Sequence, residues 1–514
     1  MYYESQGISF KKGTQFPFKE HYSRIERYRE NMLLFRGEHF ELFKKYNLKA
    51  YNEIYIAVNL AGLICKKSAD LLLGEEPIIS AGREDNSAEQ QALDRLTSTN
   101  DMHVVNYESA LYNAVKGDSF YRIRYGQENG GLIENEEYRV FIEGVAPEHV
   151  FPEVSPLNKK KILVYHYCVP CYNSAENEWS LICESHGAGY IIYHSYELNP
   201  IEYNSNGEAI KFNIGGALEN PQYQYTGVNK PLIVHIPNTA GSDTWEGIDD
   251  LNDNKGLFDE LNNRLSQIAS ILDKHADPAL AVPVGLLDEG EDGQAKFRVA
   301  VDKVFEVLGK DDIIPEYITW NGNLQEAISE MKEVINLILM NSEIPAIALG
   351  LTDAGTSGAS GLSIKFRMNS LLSKIKRKRL YYNKGLKEIY RLAQELEKSL
   401  GIANYDVVTP HINFNDGLPT DELQEANIMS IRTGNMPTLS QLSAIMRMDN
   451  MTEEQAREEL ERIKADLEEA NKMIGQSTFF NSAEYNGGED NEGVDPSIEA
   501  SNDEAQRNSN INYN

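Results

Sequence analysis

The spacing of apolar residues divides the chain into helical and extended sections. Residues 16–116 are predicted to be mostly helical, because apolar side chains recur every three or four positions, as they do in the stretch 54–71. Gly74 and Pro77 would end that helix, and a serine cap at Ser87 would begin the next one.

Between Gly117 and about Asn238 the period changes to two. Short runs rich in aromatic and β-branched residues are separated by Gly, Asn and Pro, which is typical of strands joined by turns. Several histidines fall in or beside these runs without a carboxylate or nucleophile at a recognisable spacing, so we interpret them as structural. They are His149, His166, His186 and His194.

After Trp245 the pattern becomes helical again. One helix is predicted over 245–275, about 45 Å long at roughly 1.5 Å per residue, and a second over 324–341. The section between them, 277–320, is predicted to hold strands around turns and one short helix. Its sequence DEGEDG resembles the start of a calcium loop, but Val299 stands where the bidentate glutamate belongs, so we favour a solvated acidic turn.

The last third of the chain is predicted to be helical and then disordered. Residues 362–400 keep a near-heptad apolar stripe, with Gly385 as a candidate bend. The region 420–474 ends in an amphipathic helix with acidic outer faces, which indicates a bundled or self-associating element. Residues 476–514 are acidic and rich in Asn, Ser and Gly, and are predicted to be disordered.

Composition limits the classes of function. A chain of 514 residues has the length of about three or four domains. Its net charge of −30, from 79 acidic and 49 basic residues, repels polyanions on average, so any contact with nucleic acid must be local or weak. We find no signal-peptide pattern and no apolar run long enough to span a membrane.

The cysteines leave two interpretations open. Four cysteines in this length are not a disulfide scaffold, which agrees with a reducing compartment. Cys168, Cys171, Cys183 and His186 form C-x-x-C followed by C-x-x-H, a spacing compatible with tetrahedral zinc. Two of these cysteines also end strand-like runs, so we prefer buried cysteines in a hairpin and keep zinc as a weak alternative.

The stretch LGLTDAGTSGASG, 349–361, is rich in glycine and small hydroxyl residues. Gly350 and Gly355 have the spacing of a phosphate-binding Walker loop, but Thr356 stands where that loop needs its lysine. We therefore favour a flexible loop between two helices over a nucleotide site.

The helix predicted over 362–400 contains a strongly basic run, KIKRKR. Such a run is most often a solvated helix face, although pairing with an acidic neighbouring subunit or contact with phosphate is also open. The candidate contact residues are Lys374, Lys376, Arg377, Lys378 and Arg379.

Three stretches together carry a resemblance to a known family. The first is an early helix ending in a Gly-x-x-Pro turn and a strand, 59–80; the second is the helix, compact insertion and helix of 245–342. The third is the small-residue loop leading into the long basic helix, 344–368 and onward. In this order they resemble the portal proteins of tailed double-stranded DNA bacteriophages, specifically the large family of long-tailed phages.

The resemblance implies an α+β, portal-type subunit with a β-rich wing, a two-helix stem flanking a small α/β clip, a long wing-spanning helix and a helical crown. The implied boundaries are 1–244 wing, 245–276 first stem helix, 277–320 clip, 321–344 second stem helix, 345–361 tunnel loop, 362–419 long helix and return to the wing, 420–475 crown and 476–514 acidic tail.

The resemblance also assigns roles to particular residues. The tunnel loop would surround DNA in a central channel through Leu351, Thr352, Asp353, Thr356, Ser357 and Ser360. The clip would dock the packaging motor through Asp288, Glu289, Glu291 and Asp292. Small hydroxyls and glycines suit a low-friction aperture, because lysines there would release counterions from DNA and slow its passage.

The function implied is a non-enzymatic ring, a dodecamer in family members, that conducts double-stranded DNA at a capsid vertex and nucleates procapsid assembly. Its partners would be further copies of itself, the terminase, head-completion proteins, and the major capsid and scaffolding proteins, with neither cofactor nor membrane. It would be assembled in the host cytoplasm and end in the virion. The alternatives are an NTP-driven enzyme using the 350–361 loop and a cytosolic coiled-coil scaffold.

Overall fold

The computed structural model of the chain describes most of the residues between 7 and 468. The described ranges are 7–43, 55–83, 86–129, 136–204, 207–276, 324–350, 361–415, 422–434, 437–448, 451 and 455–468, with short paired strands between 280 and 317. The chain forms two units, Met1–Leu418 and Pro419–Asn514. Its mixed helical and strand content confirms the α+β class.

The N-terminal section is helical, as predicted. Its elements are β1 Gln15–Phe16, α1 Tyr22–Arg36, α2 His39–Phe43, α3 Leu60–Leu73, β2 Ile78–Ser80, α4 Ala88–Thr99 and α5 Met102–Lys116. The predicted cap is confirmed, because the Ser87 side chain accepts a hydrogen bond from the amide of Gln90. α3 begins later than the apolar spacing indicated, at the Asn59 cap.

The strand-rich section is also where the sequence placed it. Its strands are β3 Asp118–Gly126, β4 Arg139–Val145, β5 Val150–Ser155, β6 Asn158–Asn173, β7 Glu178–Gly187, β8 Tyr190–Tyr203, β9 Ala209–Ala217, β10 Gln222–Tyr225 and β11 Ile233–Pro237. They form an antiparallel seven-stranded sheet in the order β1-β9-β8-β7-β6-β5, with β10 also paired to β8, and a separate three-stranded sheet, β11-β3-β4.

The elements after Pro237 are long helices with small strands between them. They are α6 Lys255–Ala276, β12 Leu280–Ala281, β13 Asp288–Glu289, β14 Ala295–Lys296, β15 Glu316–Tyr317, α7 Leu324–Asn341, α8 Gly361–Arg367, α9 Asn369–Ser399 and β16 His411–Asn413. β12 pairs with β15, β13 with β14, and β16 with β2. The predicted helix 324–341 is confirmed residue for residue.

The prediction of a helix from Trp245 was wrong at its start. The helix begins at Lys255, after a short turn, and its 22 residues span about 33 Å. The Asp249 carboxylate accepts hydrogen bonds from the amides of Leu251 and Asn252, so it stabilises a turn where the apolar spacing had indicated helix.

The main core of the first unit lies along α9. Tyr382, Leu386 and Ile389 of this helix are fully buried together with residues of α3, α5 and the three-stranded sheet. Gly385 lies inside α9, where a methyl group would come within 2.4 Å of Ile236 in β11. This glycine thus permits close packing of the helix on the sheet, which is a clearer role than the predicted bend.

The second unit is helical in its described residues. α10 spans Glu422–Thr433 and α11 spans Gln441–Met448, and a further helix, α12, covers 455–468. Among the described helices, none combines the length and apolar character that a bilayer crossing requires.

The contact between Gly117 and Gly247 generates a test of the fold. A Cβ at Gly247 would lie 1.8 Å from the carbonyl oxygen of Gly117, and backbone cannot move aside as a side chain can. We expect Gly247→Ala to lower the free energy of unfolding by about 3 kcal/mol or more. Urea denaturation followed by circular dichroism measures this loss.

Gly256→Ala is the matched control, since nothing lies within 4 Å of a Cβ placed there in α6. The control should be neutral or stabilise the protein by up to about 1 kcal/mol. Equal stability of the two variants would show that the glycine contact is not required.

Candidate functional site

The described residues next to the predicted channel loop converge on one buried carboxylate, Asp250, just before α6. Lys378 of α9 donates to Asp250 Oδ2 at 2.6 Å, and the Lys374 ammonium lies 3.3 Å from Oδ1. Ser68 of α3 and Asn238 complete the coordination with hydrogen bonds of 2.8 and 3.0 Å. The carboxylate is thus surrounded by four hydrogen-bonding or ion-pairing side chains from three parts of the chain: α9, α3 and the segment after β11.

Lys374 also reaches the end of α7. Lys374 donates to the carbonyl oxygen of Ser342 at 3.0 Å, and Asn254 donates to the Ser342 hydroxyl at 2.8 Å. We call Asp250, Lys374, Lys378 and Ser342 the Asp250 junction. It joins the start of α6, the end of α7 and the first half of α9.

Burial determines the electrostatics of the junction. The side chain of Asp250 is 5 % exposed and that of Lys378 is 1 % exposed. Burial acts to raise the pKa of the Asp250 carboxyl, but the ammonium groups of Lys374 and Lys378 outweigh burial and hold its pKa well below its usual range. Burial, helped by repulsion from Lys374, lowers the pKa of Lys378 to about 8 despite the attraction of Asp250.

Two lysines therefore share one aspartate in a site that excludes water. A buried charge is tolerated only when it is paired and hydrogen-bonded, and Asp250 supplies this pairing for both lysines. Because the charged groups of Asp250 and Lys378 are buried and paired with each other, we interpret the junction as structural. Its physical effect is to fix three helices relative to one another.

The predicted channel loop is attached directly to this arrangement. After α7, a short 3-10 helix over Ala346–Leu349 ends at Gly350 with φ of 72°, and α8 begins at Gly361. The positive φ explains the glycine at position 350. All the predicted channel residues lie outside the described residues; they are Leu351, Thr352, Asp353, Thr356, Ser357 and Ser360.

Part of the predicted motor-docking turn is described. Asp288 and Glu289 lie in β13, with Lys296 and Ala295 of β14 as their register partners. Glu291 and Asp292 fall in the connection between these strands, outside the described residues. The described part of the acidic segment thus lies in a pair of short antiparallel strands.

The basic run faces inward at two of its positions. Lys374 and Lys378 have the partners given above. Arg377 pairs with Glu343 at 2.5 Å, and Arg379 donates to the carbonyl oxygen of Leu71 at 3.1 Å. Most of the run is therefore engaged within its own subunit.

Lys376 is exposed, and a contact between it and a neighbouring subunit or phosphate stays a prediction.

The weak zinc alternative conflicts with the geometry of its residues. Cys168 and Cys183 face each other across β6 and β7 and are buried in an apolar cluster with Phe151 and Leu181. Because side chains alternate along a strand, Cys171 and His186 lie on the opposite face of the sheet from that pair. The structure thus confirms the hairpin interpretation for Cys168 and Cys183.

Sequence reasoning missed Asp250 as the centre of the site. A signal was present, because Lys374 and Lys378 are four residues apart on the apolar stripe of α9, between Leu371 and Tyr382. Lysines on a buried stripe require an acidic partner. The stripe does not say which acidic residue that partner is.

A comparison of sequences identifies the family. The family model described as phage portal protein, SPP1 Gp6-like, matches residues 16–473. The chain therefore belongs to the SPP1 Gp6-like family of phage portal proteins. It is a ring-forming structural component of the phage particle, the head-to-tail connector, which confirms the resemblance found in the sequence.

Similar solved structures exist at low sequence identity. A chain in the neck of a native gene transfer agent particle with C12 symmetry is 12 % identical, with a TM-score of 0.41, over 76 % of this chain and 89 % of that one. A chain in the virion of a native gene transfer agent particle is 12 % identical, with a TM-score of 0.42, over 82 % and 93 % respectively. No curated protein matches significantly. The family assignment rests on the match across 16–473.

The unequal charges of the junction generate a stability prediction. Asp250→Asn leaves two buried ammonium groups without a counter-charge and should lower the free energy of unfolding by about 3–5 kcal/mol. Lys378→Met leaves one balanced pair and should cost no more than about 1–2 kcal/mol. Urea titration of the two variants measures both losses in the free energy of unfolding. Equal losses would contradict the view that Asp250 balances two buried positive charges.

The lowered pKa of Lys378 predicts a pH dependence. Its pKa is about 8 in the folded chain against an ordinary value of 10.5, so between these pH values the unfolded chain binds the proton that the folded chain has released. Stability from this group therefore rises with pH over that window. Unfolding measured at several pH values from about 7.5 to 10 should show a more positive slope of stability with pH in the wild type than in Lys378→Met, since the other titrating groups are common to both; parallel profiles would contradict the assignment.

Proposed function

We propose that twelve copies of the chain form the ring at one capsid vertex through which double-stranded DNA enters during packaging and leaves during ejection. The observation that carries this proposal is the family match across residues 16–473. The Asp250 junction supports it, because it fixes the helices on either side of the loop predicted to meet DNA.

We assign the parts of the subunit by the same reasoning. α6 and α7 would form the stem, and the short strands between them the clip. The seven-stranded sheet would belong to the wing, and the second unit to the crown. The small paired strands support the clip assignment, because they lie in the section between two long helices.

The chemistry of the tunnel loop suits passage of DNA. Residues 351–360 contain no lysine or arginine, and Asp353 is their one charged residue. Each phosphate that a basic side chain neutralises would deepen the binding of DNA and slow its movement. A loop of glycines and small hydroxyls therefore supplies a weakly interacting rim.

We assign the other partners to further parts of the subunit. The acidic hairpin with Asp288, Glu289, Glu291 and Asp292 would dock the terminase and later the head-completion proteins. The wing would face capsid and scaffolding proteins during assembly in the host cytoplasm. The ring itself would have no ATPase activity, since the terminase would supply the energy.

Thr356→Lys tests the low-friction loop. The ring should still form, as native mass spectrometry can show, but packaging or ejection of DNA should slow because one added cation per subunit faces the phosphates. Thr356→Gln is the matched control, being long and neutral. The loop proposal fails if Thr356→Lys packages DNA at the rate of the control, and the ring proposal fails if the wild type stays monomeric at every concentration and ionic strength.

A further inference from the structure

Two hairpins project from opposite ends of the seven-stranded sheet. β6 pairs with β7 only from Tyr165 onward, so its first residues pair with β5 alone. At the other end β8 pairs with β7 only as far as Leu198, and its last residues pair with β9 alone. The 16 residues of β6 place these ends about 50 Å apart.

The projecting β5–β6 hairpin is basic and carries an exposed apolar tip. Lys159, Lys160 and Lys161 follow one another in a chain whose net charge is −30, and all three are exposed. Leu157 at the turn is 98 % exposed. We call residues 156–161 the basic tip.

The opposite end of the same sheet is acidic. Its exposed glutamates are Glu176, Glu178, Glu202 and Glu208. One lysine, Lys211, lies among them and pairs with Glu202. Ile201 and Tyr203 of β8 are 49 % and 58 % exposed, so this end also carries apolar surface. We call it the acidic end.

A ring of identical subunits needs two such surfaces. Head-to-tail contacts around an axis are heterologous, so each subunit must present two different and mutually complementary patches. Subunits of net charge −30 repel one another on average, and a local contact of opposite charge offsets that repulsion and fixes the register.

We propose that the basic tip of one subunit docks on the acidic end of the neighbouring subunit's sheet, in the ring proposed above. Leu157 packs against Ile201 and Tyr203, and Lys160 and Lys161 lie beside Glu176 and Glu178. The contact closes the ring at the level of the wing. This docking contact rests on the ring proposed above. Its partner is a specific surface on a second copy of this chain.

Charge reversal tests the contact in the full-length protein. Lys160→Glu with Lys161→Glu should raise the subunit concentration needed for half-assembly roughly tenfold, measured by native mass spectrometry or sedimentation at low salt. Lys11→Glu with Lys12→Glu is the matched control, because these lysines are also adjacent and exposed and the change in net charge is identical. The control should assemble like the wild type.

The reciprocal change separates a specific contact from a general effect of charge. Adding Glu176→Lys and Glu178→Lys to the reversed basic tip should restore assembly to within about twofold of the wild type, since opposite charges again face each other. Failure of this rescue, or equal assembly of the reversed tip and the control, overturns the docking proposal and leaves the ring proposal standing.

A crosslink tests the apolar part of the contact. Leu157→Cys with Tyr203→Cys, made in a Cys171→Ser background because the other native cysteines are buried, should oxidise to disulfide-linked subunits in the ring. Each single cysteine should not. The proposal is overturned if the double-cysteine protein forms rings without crosslinks. It is also overturned if the Lys160→Glu, Lys161→Glu variant forms rings normally but these rings fail to enter capsids, because the basic tip would then serve another partner. A wild type that forms no ring would overturn both proposals.

Discussion

The pairing of Asp250 with Lys374 and Lys378 is the interaction on which the proposed channel support depends. It joins residues more than a hundred positions apart and places one carboxylate between a helix start, a helix end and the long helix α9. Removing charges from water is costly, and burying two cations with one anion is less favourable than burying a balanced pair. The arrangement persists because Ser68, Asn238 and the Ser342 carbonyl satisfy the remaining hydrogen bonds.

Such a polar contact adds to the geometric constraint that apolar packing imposes. An ammonium group displaced from its carboxylate stays buried without a partner, and this cost adds to that of repacking the apolar stripe when a helix shifts by a turn. The junction thus fixes the register of α9 against α6 and α7. The loop between α7 and α8 then departs from a defined point, at Gly350, and returns to one. In a ring, this would set each copy of the loop at the same distance from the axis.

The parts that sequence predicted well are those governed by local rules. α7 was predicted with its observed bounds because its apolar stripe is uninterrupted and Pro345 follows closely. α6 was predicted about ten residues too early, since Asp249 competes for the backbone amides that a helix would use. Strand alternation alone already separated Cys168 from Cys171, so the zinc alternative could have been rejected from the sequence.

The parts that sequence could not predict depend on contacts distant along the chain. The sequence around Lys374 and Lys378 does not identify Asp250 as their partner. Likewise, the sequence around Leu157 does not indicate that its hairpin projects beyond the sheet. The channel residues from Leu351 to Ser360, together with Glu291 and Asp292, stay predictions that the family assignment supports.

The central claim is that the Asp250 junction holds the 351–360 loop toward the axis of a ring. Electron cryomicroscopy of the purified full-length assembly tests it most directly. The account predicts a closed ring in which Asp250 contacts Lys374 and Lys378 in every subunit and the loop lines the narrowest part of the channel. A ring in which the loop packs against its own subunit away from the axis, or in which the junction is open, would contradict it.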